Sequence, residues 1–132
     1  MQVIRTLLVD DSSDFLDAAM RFLSSDPQIE IIGHSLTGTD AIQDVKRLHP
    51  DLVLMDLAMP GMNGLETTRQ IKETPNAPLV IILTLHDNYE YRMASKAVHA
   101  DGFIPKSEFG VQLLPHIYAL FEEKIVAHPI SR

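Results

Sequence analysis

Asp10, Asp11, Asp56, Thr84 and Lys106 each stand at or just past the end of an apolar run. The runs are Ile4–Val9, Leu52–Met55, Leu79–Leu83 and Gly102–Pro105. If these runs are neighbouring parallel strands, the polar residues emerge at one edge of one sheet. Three carboxylates, a hydroxyl and an ammonium then converge on one pocket. That set suits an aspartate that accepts a phosphoryl group with help from a divalent cation. Carboxylates crowded in this way repel: at about 4 Å and an effective dielectric of about 20, each pair costs roughly 4 kcal/mol. Lys106 can offset one charge and a bound cation the rest. With no cysteine and no suitably spaced histidine pair, a hard ion with oxygen ligands, magnesium before zinc, fits the donors.

Each residue also has a plain explanation. Asp10–Asp11 can be a helix N-cap, and Asp56 an ordinary strand terminus. Thr84 can be a β-branched strand residue, and Lys106 a solvated surface lysine. Phe103, in the short run before Lys106, reads first as core. Their joint occurrence carries the inference: four weak signals fall at strand ends in the right chain order. The turn Pro60-Gly61 behind Asp56 can aim the backbone carbonyl of Ala58 toward a metal.

The elements that must position these groups alternate strand and helix five times. Strands are expected at Ile4–Val9, Ile29–His34, Asp51–Met55, Leu79–Leu83 and Gly102–Ile104. Leu79–Leu83 is the most hydrophobic, as befits a strand covered on both faces. The first helix carries Phe15, Leu16, Ala19, Met20 and Leu23 at helical spacing, until Asp26-Pro27 breaks it. Gly38 and Thr39 open the second, and Leu65 to Glu73 forms the third. Met93, Ala94, Ala97 and Val98 mark the fourth. The fifth runs from about Phe109 to Glu123 with Leu113, Leu114, Ile117, Leu120 and Phe121 inward and an awkward Pro115 inside it. Repeated strand–helix units imply a doubly wound α/β fold: a five-stranded parallel sheet with helices on both faces, its site beyond the carboxyl ends of the strands.

The chain has 132 residues, 45% of them hydrophobic and 22% charged, enough for one domain with a real core. Its net charge of −7 argues against gripping nucleic acid or an anionic membrane unaided. The lack of cysteine excludes disulfides and suits a reducing cytoplasm. The N-terminus does not read as a signal peptide, and no apolar stretch is long enough to span a bilayer.

The segments LLVDDSSDFLD, PDLVLMDLAMPGMNGLE, VIILTLHDN and ADGFIPKSE resemble the response-regulator receiver family of two-component signalling, over about Arg5 to Glu122. The resemblance implies a flavodoxin-like sheet of order 2-1-3-4-5 and a domain over residues 1–125, with 126–132 a tail or the start of a linker. It makes Asp56 the phosphoacceptor. Asp11, Asp56 and the Ala58 carbonyl would bind magnesium or manganese directly, with Asp10 assisting through water. Thr84 and Lys106 would contact the phosphoryl group, and Phe103 would stand where the family keeps its aromatic switch residue. Implied partners are a sensor histidine kinase or phosphotransfer domain and a second copy of the chain. DNA would be reached only through an output domain that this chain lacks.

Two departures stand out. Leu85 and then His86 follow Thr84, where many receivers have a small residue. Lys106-Ser107 replaces the family's Lys-Pro, with Pro105 on the other side. TLHDN and GFIPKS look most like receivers joined to LuxR-type helix-turn-helix domains. The resemblance implies a switch that is not a turnover enzyme. Three other readings compete. A haloacid-dehalogenase-type phosphatase needs a second acid where Ala58 stands. A flavin module needs a phosphate cradle where Asp10 and Asp11 would repel the phosphate. A degenerate receiver would serve as an interaction surface alone.

Overall fold

The structure is a computed structural model that describes residues 3–59 and 61–127, with side chains through 122. Five strands form one sheet: β1 (Ile4–Val9), β2 (Ile29–Ser35), β3 (Leu52–Asp56), β4 (Leu79–Thr84) and β5 (Gly102–Pro105). All pairings are parallel and the order is β2-β1-β3-β4-β5. Five helices connect and follow them: α1 (Ser13–Ser24), α2 (Gly38–Leu48), α3 (Gly64–Lys72), α4 (Tyr89–Ala97) and α5 (Phe109–Ala127). The order reverses at β1 and β3, so a crevice opens beyond their carboxyl ends.

The central strands send alternate residues to opposite faces, and both faces are apolar. Leu8, Leu52, Leu54, Ile81 and Leu83 pack with α1 and α5, through Leu16, Leu23, Leu113 and Ile117. Leu7, Val9, Val53, Met55, Val80 and Ile82 pack with α2 and α3, through Ala41, Val45 and Ile71. Each such fully buried aliphatic side chain contributes about 1.5–3 kcal/mol. A run buried on both faces cannot show the polar alternation of a half-exposed strand, which explains the continuous hydrophobicity of Leu79–Leu83.

Helix starts are set by polar side chains. Ser12, Thr37, Asn63 and Asn88 each accept a hydrogen bond from the backbone three residues on. Thus Ser12, not Asp10 or Asp11, caps α1, which leaves both acids for another purpose.

At the opposite, amino-terminal edge of the sheet, Arg5, Asp51, Lys72 and Asp101 are all partnered. The Arg5 guanidinium donates to the carbonyls of His49 and Leu48, at the end of α2, at 2.7 and 2.9 Å. The Arg5 backbone N–H donates to the Asp51 carboxylate at 2.9 Å. Lys72 donates to Asp101 at 2.8 Å, and the same carboxylate oxygen accepts the Val80 N–H at 2.8 Å.

Two expectations are refined. Of the four residues that marked α4, Met93 and Ala97 are exposed while Ala94 and Val98 are half-buried; Ser95 is its buried residue, and Tyr91 packs on the core. Helix α4 lies against the short edge strand β5, where a small residue permits close approach, so apolar periodicity does not fix its rotation. The last helix continues to Ala127, past Glu123 and through the first two residues of the expected tail 126–132. The rest of that tail lies outside the described residues. A three-residue 3-10 turn, Lys106–Glu108, joins β5 to α5, and no cis peptide bond occurs among the described residues.

Candidate functional site

Strand register assembles the site. Val9 pairs with Met55, and the next residues of these strands are Asp10 and Asp56. Asp56 pairs with Leu83, one residue before Thr84, and Thr84 pairs with Pro105, one residue before Lys106. Each strand thus delivers its polar residue to the same sheet edge as its neighbour, and the strand-end reading holds for all of them.

The geometry is tight. Carboxylate oxygens of Asp10, Asp11 and Asp56 lie within 4.8 Å of one another. Asp10 and Asp56 are buried, while Asp11 is exposed at the mouth. The Lys106 ammonium reaches Asp10 Oδ2 at 2.7 Å and Asp56 Oδ1 at 3.3 Å, with its side chain only 10% exposed. Asp10 Oδ1 accepts the Ser12 N–H at 2.9 Å. That bond ties the first acid to the α1 cap and leaves Oδ2 for the lysine.

One ammonium does not balance three carboxylates. Burial is the main cause that pushes the Asp56 carboxyl up, to about 6; the Asp10 charge pushes the same way, Lys106 pulls it back, and Asp11 adds a smaller push. The excess negative charge and the oxygen-only donor set fit a divalent cation with hard ligands.

Thr84 is buried, and its Oγ1 accepts the His86 N–H at 3.0 Å, a local turn that fixes the oxygen and leaves the hydroxyl proton to donate. Leu85 is 77% exposed and points its bulk to solvent rather than filling the crevice. His86 is exposed as well. Phe103 is half-buried against the α2–α3 side of the core, and the Arg92 guanidinium lies 4.7 Å over its ring. Arg92 in turn forms two hydrogen bonds to Asp87, at 2.6 and 3.0 Å. Ala58 sits exposed two residues after Asp56. Pro60, the first residue of the turn expected to aim its carbonyl, lies outside the described residues.

Two contributors escaped sequence reasoning. Gly64 begins α3, and a Cβ there would overlap the backbone carbonyl of Asp56. Its N–H donates to the Leu57 carbonyl at 2.9 Å, so α3 starts against the main chain that carries Asp56. The glycine was legible only as part of a turn. Phe15 places its ring 4.2 Å from the Lys106 ammonium. Helical periodicity had already accounted for it as a core residue, and nothing in the sequence marked a second task.

A protein-glutamate methylesterase/protein-glutamine glutaminase of Geobacter metallireducens is 40% identical over 98 residues, which are 74% of this chain and 28% of the relative. The transcriptional regulatory protein DegU of Brevibacillus brevis is 27% identical over 126 residues, 96% of this chain and 53% of the relative. A LuxR-family two-component response regulator from Aurantimonas sp. superposes with a TM-score of 0.87 at 26% identity, covering 92% of this chain and 87% of that one. The chain therefore spans about half or less of the length of these two curated relatives. The methylesterase similarity corrects the expectation of a protein that is not a turnover enzyme, since the shared region is a segment of proteins named as enzymes. Among the described residues no helix is long and apolar enough to cross a membrane. The response regulator receiver domain matches residues 6–118, and this chain belongs to that family.

Proposed function

We propose that this chain is a phosphoryl-accepting switch whose acceptor is Asp56. The observation that carries the reading is that Asp10, Asp11 and Asp56 lie together with the Lys106 ammonium against two of them. Asp11, Asp56 and the Ala58 carbonyl would hold magnesium or manganese, with Asp10 assisting through water. When bound, the cation neutralises charge on the transferring oxygens.

A carboxylate oxygen of Asp56 forms a bond to phosphorus. The bond from phosphorus to the donor breaks, and its electron pair leaves with the donor. That donor is the imidazole of a phosphohistidine, on a sensor histidine kinase or phosphotransfer domain, or the acyl oxygen of acetyl phosphate. Lys106 stabilises charge on the equatorial oxygens, and the Thr84 hydroxyl donates to one of them. Positioning and electrostatics supply nearly all the catalysis, because phosphoryl transfer asks little covalent chemistry of the protein. Water later hydrolyses the acyl phosphate.

Phosphorylation adds charge and strong acceptors beside Thr84. Movement of Thr84 toward them frees space near Phe103, which shifts the α4–β5–α5 face between two populated arrangements. Partners of that face include a second copy of the chain. The motifs TLHDN and GFIPKS favour DNA-directed output through an attached domain, in the cytoplasm. We assign the switch to residues 1–125 plus the end of α5.

Acetyl phosphate with magnesium should add one phosphoryl group to the wild type, read by intact mass. Asp56→Ala should remain unlabelled under the same conditions. Full labelling of that variant refutes the assignment.

A further inference from the structure

An ammonium has three N–H donors. For Lys106, two carboxylates account for two directions: Asp10 Oδ2 at 2.7 Å and Asp56 Oδ1 at 3.3 Å. The ammonium is also 4.2 Å from the centroid of the Phe15 ring. With the lysine side chain only 10% exposed, that ring takes a place that water would otherwise fill. The negative face of an aromatic ring attracts a cation, most strongly where the cation is desolvated.

The ring is itself fixed. Phe109 meets Phe15 nearly edge-on, with centroids 5.4 Å apart and an interplanar angle of 73°. Phe109 also packs on Phe22, with centroids 5.1 Å apart. Phe15 and Phe22 stand seven residues apart on α1, two turns along one face, and Phe109 is the first residue of α5. The start of α5 therefore wedges between two rings of α1, and the first of those rings supports the lysine.

We infer that Phe15 is a positioning residue for phosphoryl transfer, whose ring face holds the Lys106 ammonium between Asp10 and Asp56. This rests on the assignment of Lys106 to the phosphoryl site. The neutral ring serves a purpose a fourth carboxylate could not. It fixes the cation without adding to the repulsion in the pocket, and without competing strongly when phosphoryl oxygens arrive. Lys106 is then already aimed when the donor binds, rather than free to swing out.

The test separates the ring's electrons from its bulk. Phe15 is replaced by phenylalanines carrying one, two and three ring fluorines, which weaken the ring face stepwise at nearly constant shape. Labelling of Asp56 by acetyl phosphate with magnesium should slow at each step, about tenfold over the series, with thermal stability nearly unchanged. Phe15→Leu should be as slow as the trifluoro protein, and Phe15→Tyr should restore the rate. A labelling rate that stays flat across the fluorinated series overturns the inference.

A second readout does not depend on phosphorylation. The Lys106 side-chain proton resonances should carry a ring-current displacement that Phe15→Leu removes. Resonances unmoved by that substitution overturn the inference as well. Should the wild type itself resist labelling, the phosphoacceptor assignment fails, and these resonances alone decide whether the ring positions the lysine.

Discussion

The two edges of the sheet treat charge in opposite ways. At the amino-terminal edge, Arg5, Asp51, Lys72 and Asp101 each find partners of complementary type at hydrogen-bond distance, most of them backbone. Asp101 there meets the Lys72 ammonium, and Asp51 accepts a backbone N–H. At the carboxyl-terminal edge three carboxylates crowd together, Lys106 reaches two of them, and burial pushes the Asp56 carboxyl up to about 6. One edge locks loops onto the sheet, and the other stores repulsion that a cation or phosphoryl chemistry can relieve. The contrast separates groups kept for stability from groups kept for function: the first are satisfied, the second are left wanting.

Breaking each edge should therefore give opposite signatures. Lys106→Met takes from the crowded edge the ammonium that touches Asp10 and Asp56, and acetyl phosphate labelling should slow by about 10²-fold, in line with loss of one electrostatic stabiliser. A quench-flow or mass-resolved time course measures it, and an unaltered rate would remove Lys106 from the chemistry. Asp101→Ala takes the carboxylate from Lys72, which keeps the Pro78 carbonyl at 3.0 Å, and strands the Val80 N–H. It should cost about 1–3 kcal/mol in urea unfolding while leaving magnesium affinity within about twofold. A large drop in magnesium affinity instead would show that the two edges are coupled.

Asp56→Asn should do the reverse of Asp101→Ala and stabilise the fold by about 1–2 kcal/mol without metal, because it removes a buried charge that its neighbours repel. The same comparison sharpens with pH. The Asp56 carboxyl binds its proton more tightly folded, at about 6, than at the ordinary value of 3.8. Its contribution to stability is therefore highest below about pH 4 and falls as pH rises from there to 6, then levels off. The stability gap between Asp56→Asn and wild type should open over that window and nearly vanish at its acid end. A gap of constant size from pH 4 to 7 would mean that Asp56 ionises like a surface acid.

Much of the crowded edge was legible in the sequence, and little of the quiet one. Asp10, Asp56, Thr84 and Lys106 could be found because each follows an apolar run, and parallel strands carry such ends to one place. Arg5 and Asp51 are 46 residues apart, and Val80 and Asp101 are 21 apart. No local period links such pairs, and a lone Arg or Asp in a loop looks like any solvated charge. Phe15 was hidden for another reason: its helical spacing was already explained, so its second contact left no trace in the pattern. The rotation of α4 was not legible, because Met93 and Ala97 look apolar, yet the helix turns the small Ser95 inward.

Gly64 carries a consequence for anyone who would redesign the loop behind the acceptor. The overlap that any side chain would make there is with main-chain atoms of Asp56, which cannot rotate aside as a flexible side chain could. A library that randomises residues 61–64 should accept many letters at Met62 yet return only glycine at 64 under selection for phosphorylation. The first turn of α3 acts as a jig for the acceptor, and its tolerance is narrower than a methyl group.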